Sequence, residues 1–394
     1  MFNALPDAVL HAIQKLNEAG YEAYAVGGCV RDSLMGKAPQ DWDITTSATP
    51  DEMQDVFAAC RCIKTGLQHG TLTVILEDMP LEITTYRVDG DYSDGRHPDW
   101  VAFTPSLLED LQRRDFTINA MAYHPTVGLV DPYGGQKDIR RGVIRCVGEA
   151  DRRFSEDSLR ILRALRFASV LGFSLDDDTS SSLLRLSPTL TRVAMERISV
   201  EVQKLLCGRD ACRIVNEYKN VIHVVLPELS HCSDFSLLSR IPATPHVRFA
   251  ALFLASGCSV DIAETVLRRL RMDKCTINCI TQLLLCNHYP KDTDTDLLWL
   301  LNRLDKHLIF DYLSLHMADE TVIQRTRYLL DTNACYKVSM LAIDGNDIVA
   351  SGIHAGPAVG CVLQLLLDAV IKGECPNEKK TLLNYVTKLK KPVQ

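Results

Sequence analysis

The reading turns on Tyr24-Ala-Val-Gly-Gly-Cys-Val-Arg-Asp-Ser-Leu-Met-Gly-Lys-Ala-Pro-Gln-Asp-Trp-Asp-Ile44. The apolar run Tyr24 to Val26 has the look of a short buried strand and stops at Gly27-Gly28. Val30 to Met35 then places apolar residues at helical spacing, closed by Gly36. A second strand follows, carrying Asp41 and Asp43 on either side of Trp42. Residues two apart on a strand share a face, so this pair presents two carboxylates side by side. Such a pair repels itself unless a cation intervenes, and hard oxygen donors suit Mg²⁺. A Gly-Gly turn entering a helix lets backbone N–H groups approach phosphate oxygens, because no Cβ stands in the way. Either feature alone is commonplace. A phosphate cradle followed at once by a carboxylate pair predicts phosphoryl or nucleotidyl transfer.

The stretch closely resembles motif A of the polymerase-β-like nucleotidyltransferases, in the branch of class II tRNA CCA-adding enzymes and bacterial poly(A) polymerases. The pattern Gly-Gly-x-Val-Arg-Asp followed by Asp-x-Asp is complete at Gly27 to Asp43. The resemblance implies an α+β chain: an N-terminal polymerase-β-like mixed-sheet domain followed by an elongated all-α neck, body and tail. The expected divisions are residues 1–138 for the catalytic head, 139–206 for a neck that recognises the base, 207–320 for the body and 321–394 for a tRNA-binding tail. The implied reaction is template-independent addition of CCA to the 3′ end of tRNA from CTP and ATP, assisted by two Mg²⁺ ions held by Asp41 and Asp43. An A-adding enzyme of a split CC/A system and a bacterial poly(A) polymerase would share the same motifs.

Outward from this stretch, residues 1–20 read as an amphipathic helix carrying acidic residues, unlike a signal or transit peptide. Ala48-Thr-Pro-Asp-Glu52 reads as a helix start, with the helix running to about Ala59. Strand-like runs follow at Arg61 to Thr65, Thr71 to Leu76 and Leu81 to Tyr86, the first two joined through a turn at Gln68-His69-Gly70. Glu82 sits between apolar neighbours on the third run, a pattern that usually marks a solvent-facing charge. The resemblance makes it the third carboxylate of the metal site. The polar, turn-rich segment 88–106 matches the family's flexible loop, needed for adding the terminal A. It carries Arg96, although Arg96-His97-Pro98 replaces the family's two basic residues before proline.

Glu109 to Tyr123 matches motif B. A helix is expected to begin at Asp115, with Arg113 and Arg114 just before it, at the positive end of its dipole. By resemblance Arg31, Arg114 and Asp115 belong with Gly27 and Gly28 to the nucleotide and triphosphate site, and Asn119 to the sugar side. Val130 to Ile139 resembles motif C, a hinge, with no catalytic role for Asp131. Ser155 to Phe167 reads as a single helix with Asp157 and Arg160 three apart on one face. On spacing alone this is a surface ion pair. The resemblance to motif D, Glu-Asp-x-x-Arg, makes Asp157 and Arg160 the base readers, supported by Arg163 and Arg166. A carboxylate accepting from the amino group of C or A, beside a guanidinium donating to the ring, rejects U and G by leaving buried groups unpaired. Ala194 to Leu206 matches motif E, with Arg197 and Glu201 read as a helix pair four apart that supports the base-reading helix.

The remainder is Leu-rich and helical, with breaks near residues 242–245, 287–296 and 331–335. Gly356-Pro-Ala-Val-Gly360 resembles a tail motif in which glycines open a helix against tRNA, and Lys379, Lys380, Lys388, Lys390 and Lys391 make a basic end. The formal net charge is −7, yet residues 137–166 hold nine Lys and Arg side chains, a basic band within an acidic chain. Fourteen cysteines are scattered without a paired Cys-x-x-Cys, which speaks for reduced core thiols and against a zinc site. No apolar run reaches membrane-spanning length. The partners expected are tRNA, CTP and ATP, with neither membrane nor DNA, in the cytoplasm.

Overall fold

A computed structural model describes residues 5–67, 70–90, 100–232 and 234–389. The turn expected at Gln68-His69 and the roles expected of Arg96, Lys390 and Lys391 lie outside these residues. The chain forms two compact units, residues 1–239 and 240–394.

The first unit opens with α1 (Asp7–Glu18), whose Ala8, Val9, Ala12, Ile13 and Leu16 recur at helical spacing and are buried. They pack on one face of a mixed sheet made of β1 (Ala23–Val26), β2 (Asp43–Thr46), β3 (Arg61–Ile63), β4 (Thr71–Leu76), β5 (Met79–Thr85), β8 (Ala122–His124) and β9 (Gly128–Val130). Among the described residues the strand order is β3-β4-β5-β2-β1-β8-β9. β2 and β5 run parallel, and every other neighbouring pair is antiparallel. Ile44, Leu72, Val74, Leu81 and Ile83 are fully buried between this face and its helices. Each contributes about 1.5–3 kcal/mol relative to exposure.

Between β1 and β2 lies α2 (Gly28–Leu34), and between β2 and β3 lies α3 (Pro50–Val56). A capping box of Thr49 and Glu52 with Pro50 at the first position starts α3, as the sequence signals. It ends at Val56, three residues earlier than expected. There Phe57 leaves helical geometry to bury its ring, and Cys60 N–H closes a turn onto the Phe57 carbonyl. β6 (Arg87–Asp89) and β7 (Val101–Phe103) form a separate antiparallel ribbon. α4 (Leu107–Gln112) covers the opposite face of the sheet, where Leu111 packs with Val26 and Ala122.

After β9 come α5 (Gly135–Arg141), β10 (Val143–Ile144), α6 (Ala150–Glu156), α7 (Leu159–Leu171), β11 (Ser174–Leu175), α8 (Asp177–Leu186) and α9 (Met195–Leu206). α5 is capped by Asp131, whose carboxylate accepts from the N–H groups of Gly135 (2.7 Å) and Gln136 (2.9 Å). α7 and α9 pack against each other, and Ile161, Leu165, Ala168, Ile198, Val202 and Leu205 on them are buried. Their ends are stitched by Ser169 Oγ donating to the Leu205 carbonyl at 2.6 Å.

The second unit is helical throughout its described residues. Ser259, Asp273, Thr293, Asp319 and Asp344 each cap the helix that follows by accepting a backbone N–H. The breaks read at 287–296 and 331–335 are helix connections, and that at 242–245 begins the helix Pro245–Ala255. Gly356, at φ +141°, precedes the exposed start of the helix Pro357–Ile371, which also carries the exposed Gly360.

Candidate active site

Gly27 adopts φ +81°, a conformation side chains rarely take, and its N–H donates to the carbonyl of Met121, just ahead of β8, at 3.2 Å. The chain therefore turns sharply off β1 into α2 beneath two guanidinium groups. A Cβ placed on Gly27 would lie 3.2 Å from Arg114 Nη1, and one on Gly28 would lie 3.7 Å from Arg31 Nη2. The two glycines give a side-chain-free floor under two cations, which suits a polyphosphate.

Asp43 is the first residue of β2 and stands directly beside Glu82 of β5 in the parallel register. Burial raises the proton affinity of Asp43; Glu82 adds to this, Arg114 opposes it, and Asp41 raises it further. The three carboxylates thus share one electrostatic neighbourhood, and a cation would relieve their repulsion. Asp41, however, lies in an exposed bend ahead of β2 and not on the strand, because pairing with β1 and β5 starts only at Asp43 and Ile44. Among the described residues no three His, Cys, Asp or Glu side chains close a complete metal cage. Mg²⁺ commonly takes one or two protein carboxylates and completes its shell with water and substrate phosphates, so an open acidic set fits it.

Motif B departs from expectation. Asp115 does not begin an α-helix; only a single 3₁₀ turn forms at Thr117–Asn119. Arg113 and Arg114 instead close the C-terminal end of α4, so their placement owes nothing to a following helix dipole. What holds them is Asp110, one turn back on α4 and fully buried. Asp110 Oδ1 accepts from Arg113 Nε (3.0 Å) and Nη2 (2.7 Å), and Oδ2 accepts from Arg114 Nη2 (3.1 Å). Thr117 Oγ1 donates to the buried Asp138 of α5 at 2.7 Å.

A chain of charges joins α2 to α7 and α9. Arg31 Nη1 donates to Asn119 Oδ1 at 2.7 Å, and Asn119 Nδ2 donates to Asp115 Oδ1 at 3.1 Å. Asp115 Oδ2 accepts from Arg163 Nε (2.9 Å) and Nη2 (2.6 Å). Burial works against the Asp115 charge, but Arg163 and Asn119 hold its pKa down at about 2. Arg166 Nε lies 2.8 Å from Glu201 Oε2 in an ion pair, and Arg163 reaches the same carboxylate at 3.7 Å. The guanidiniums of Arg31, Arg163 and Arg166 all lie within 5.5 Å of the buried Phe167 ring.

The motif D segment is not one helix. α6 ends at Glu156, Asp157 is extended (φ −144°, ψ 103°), and α7 begins at Leu159. Asp157 and Arg160 therefore flank a helix junction, where a common helical face was expected. The junction forms because Asp157 Oδ1 accepts from Leu159 N at 3.1 Å, a local bond that competes with helix continuation. Arg197 does not pair with Glu201 four residues on. It donates Nη1 and Nη2 to the two oxygens of Asp157 at 3.2 and 2.7 Å, while Glu201 takes the arginines of α7. Arg160 is anchored by Glu156 Oε2 (2.5 Å), the Arg153 carbonyl (3.1 Å) and, more distantly, the Arg113 carbonyl (3.5 Å). Sequence reading missed Asp110, Arg153 and Phe167. Asp110 had a legible signal, three and four residues before two arginines.

Three family models match successive parts of the chain: poly A polymerase head domain over residues 23–145, "probable RNA and SrmB- binding site of polymerase A" over 172–232, and tRNA nucleotidyltransferase domain 2 over 244–386. The CCA-adding enzyme of Leuconostoc mesenteroides is 36% identical over 380 residues, covering 95% of this chain and 94% of its own length. That of Geobacillus thermodenitrificans is 36% identical over 390 residues, covering 96% and 95%. Among solved structures, the Bacillus stearothermophilus CCA-adding enzyme in complex with CTP superposes with a TM-score of 0.83 at 32% identity, over 97% of this chain and 96% of that one. The Thermotoga maritima enzyme complexed with tRNA shares the fold at a TM-score of 0.71 and 22% identity, over 97% and 95%. With the motifs in place from Gly27 to Glu201 and relatives matched end to end, this chain belongs to the family of CCA-adding enzymes.

Proposed function

We propose that this protein adds C, C and A to the 3′ end of tRNA, drawing on CTP and ATP without a nucleic-acid template. The observation that carries this reading is the pairing of two arrangements in one unit. Asp43 and Glu82 stand side by side within the electrostatic reach of Arg114, which also lies against the Gly27-Gly28 turn, and Asp157 and Arg160 are each clamped by neighbours at the α6–α7 junction. The first arrangement supplies chemistry and the second supplies choice.

Asp41 and Asp43, helped by Glu82, would hold the metal, which we assign as two Mg²⁺ ions. When bound, these activate the attacking 3′-hydroxyl and neutralise the triphosphate and departing pyrophosphate. Arg114, Arg31 and the glycine floor receive the triphosphate, and Asp115 with Asn119 borders the sugar. Asp157 accepts from the amino group of C or A while Arg160 donates to the ring, backed by Arg163 and Arg166 from α7 and Arg197 from α9. U and G carry a carbonyl where C and A carry the amino group, so they leave Asp157 facing an acceptor. The loop containing Arg96 belongs to addition of the terminal A, and the helix opened by Gly356 and Gly360 to tRNA binding. This assigns residues 1–138 to chemistry, 139–206 to base choice, 207–320 to the body and 321–394 to tRNA. No helix among the described residues is long and apolar enough to cross a membrane, and we place the reaction in the cytoplasm.

The test supplies tRNA ending before CCA, or after CC, with labelled CTP or ATP. Incorporation of two C residues and one A supports the reading. Failure to use CTP on the shorter tRNA points to A addition alone, and long A tails on unrelated RNA point to a poly(A) polymerase. Asp41→Ala and Asp43→Ala should each abolish incorporation of both nucleotides; activity retained by either variant overturns the metal assignment.

A further inference from the structure

A carboxylate with no exposed surface, in the middle of a short helix, requires explanation, since an unpaired charge there would not be tolerated. Asp110 is such a group. Its two oxygens divide their partners. Oδ1 takes Arg113 through two nitrogens and also accepts from Arg87 N–H at 3.4 Å. Oδ2 takes Arg114 Nη2 and Thr45 Oγ1, each at 3.1 Å. Burial pushes the Asp110 pKa up, and Arg114 and Arg113 more than reverse this, so the group is held ionised below its ordinary range.

The partners show what the carboxylate is for. Thr45 lies on β2, two residues beyond Asp43. Arg114 leans over Gly27 with Nη1 and is close enough to Asp43 to lower its proton affinity. Arg114 Nε is itself buried with no hydrogen-bond partner among the described residues. One edge of this guanidinium is thus tied down by Asp110, while another reaches the glycine floor. A four-rotor side chain left unrestrained would sweep a wide arc and lose that order on every binding event.

We propose that Asp110 is a positioning residue for triphosphate capture: it orients Arg114 over the Gly27-Gly28 turn and locks that cation to the strand bearing Asp43. The role rests on the nucleotidyl-transfer reading above and adds to it a buried group that never touches the nucleotide. Because the triphosphate is common to CTP and ATP, the effect must be equal for the two. Base choice, carried by Asp157 and Arg160, must not change.

The test is a double-mutant cycle on the full chain, using Asp110→Asn, Arg114→Ala and the pair, with KM and kcat read for CTP and ATP and binding of inorganic tripolyphosphate read by calorimetry. Asp110→Asn should raise both KM values about tenfold, the scale of one lost charge-assisted hydrogen bond. Tripolyphosphate binding should weaken by the same factor, and the ratio of C and A to U and G use should stay fixed. In the Arg114→Ala background the same change should have almost no further effect. Additive losses in the double variant, or a KM rise for one nucleotide only, overturn the proposal. If Asp110→Asn does not fold, Thr45→Val keeps every charge and removes one restraint on Oδ2. It should raise both KM values about two- to threefold, because the remaining bonds to Asp110 still hold Arg114, and unchanged KM values overturn the proposal. Wild-type protein that incorporates neither nucleotide defeats the functional reading instead, a result distinct from additivity in an active enzyme.

Discussion

Replacing Arg197 by Ala isolates what fixes Asp157, the carboxylate we propose as a base reader. Among the described residues Asp157 accepts three hydrogen bonds: two from Arg197, at 3.2 and 2.7 Å, and one from Leu159 N at 3.1 Å. The variant leaves only the last, which holds one oxygen and allows the other to rotate. The Asp157 and Arg197 side chains are 14% and 25% exposed, so the pair is neither fully screened nor deeply buried. Its orienting effect is about 2 kcal/mol. Expressed only in the complex with the correct base, that is about a 30-fold fall in discrimination. The assay is kcat/KM for each of the four nucleotides on tRNA lacking CCA, with thermal unfolding followed in parallel. Arg197→Ala should bring UTP and GTP about 30-fold closer to CTP and ATP, leaving tripolyphosphate binding unaltered. Arg197→Lys, which keeps charge but loses the two-pronged geometry, should fall between. A variant that folds normally and keeps its discrimination within twofold would show that Asp157 needs no such clamp, and the reasoning would fail.

Other perturbations test neighbouring parts. Asp115 has a folded pKa of about 2, below the roughly 3.9 of an unfolded aspartate. Its ion pair with Arg163 therefore stabilises fully above about pH 4, and that stability is lost as pH falls towards 2. Urea unfolding should show Asp115→Asn weaker than wild type by about 2 kcal/mol at pH 6, somewhat less for screening at the one-third exposed Arg163; a gap that does not narrow at pH 3 contradicts the pairing. Gly27→Ala combines φ +81° with a Cβ 3.2 Å from Arg114 Nη1. KM for CTP and ATP should rise together by about tenfold, and normal KM values would remove the glycine floor from the site. Gly135→Ala would set a Cβ 2.2 Å from the Thr117 carbonyl oxygen and 2.9 Å from Met121. A loss of about 3 kcal/mol in urea unfolding is expected, and a neutral result would mean that α5 is not seated as described.

Local chemistry was the legible part. Gly27, Gly28 and Asp43 announce themselves because a turn, a helix start and a strand carboxylate fall within seventeen residues, and the parallel neighbour Glu82 follows from resemblance alone. Partnerships were not legible. Spacing paired Arg197 with Glu201, but an exposed pair four apart contributes only a few tenths of a kcal/mol, and carboxylates presented by other elements outbid it. Asp157 lies 40 residues from Arg197, and Asp115 lies 48 from Arg163, separations at which single-sequence periodicity is silent. Periodicity also misread the α6–α7 segment. The junction turns on one side-chain hydrogen bond, which a pattern of apolar spacing does not record. In motif B, likewise, Ser106 caps a helix that runs to Gln112, ahead of the arginines, and only a 3₁₀ turn follows them.

The junction at Asp157 has a geometric consequence. Within a continuous helix two side chains three residues apart keep a fixed separation set by a rise of about 1.5 Å per residue. Here the break gives the two side chains different neighbours: Asp157 is gripped by Arg197 of α9, and Arg160 by Glu156 and the Arg153 carbonyl of α6 and by the Arg113 carbonyl. A pyrimidine and a purine offer their amino groups at unequal reach from the sugar. In the proposed reading, that difference meets a spacing set by neighbouring side chains and not by the rise of one helix.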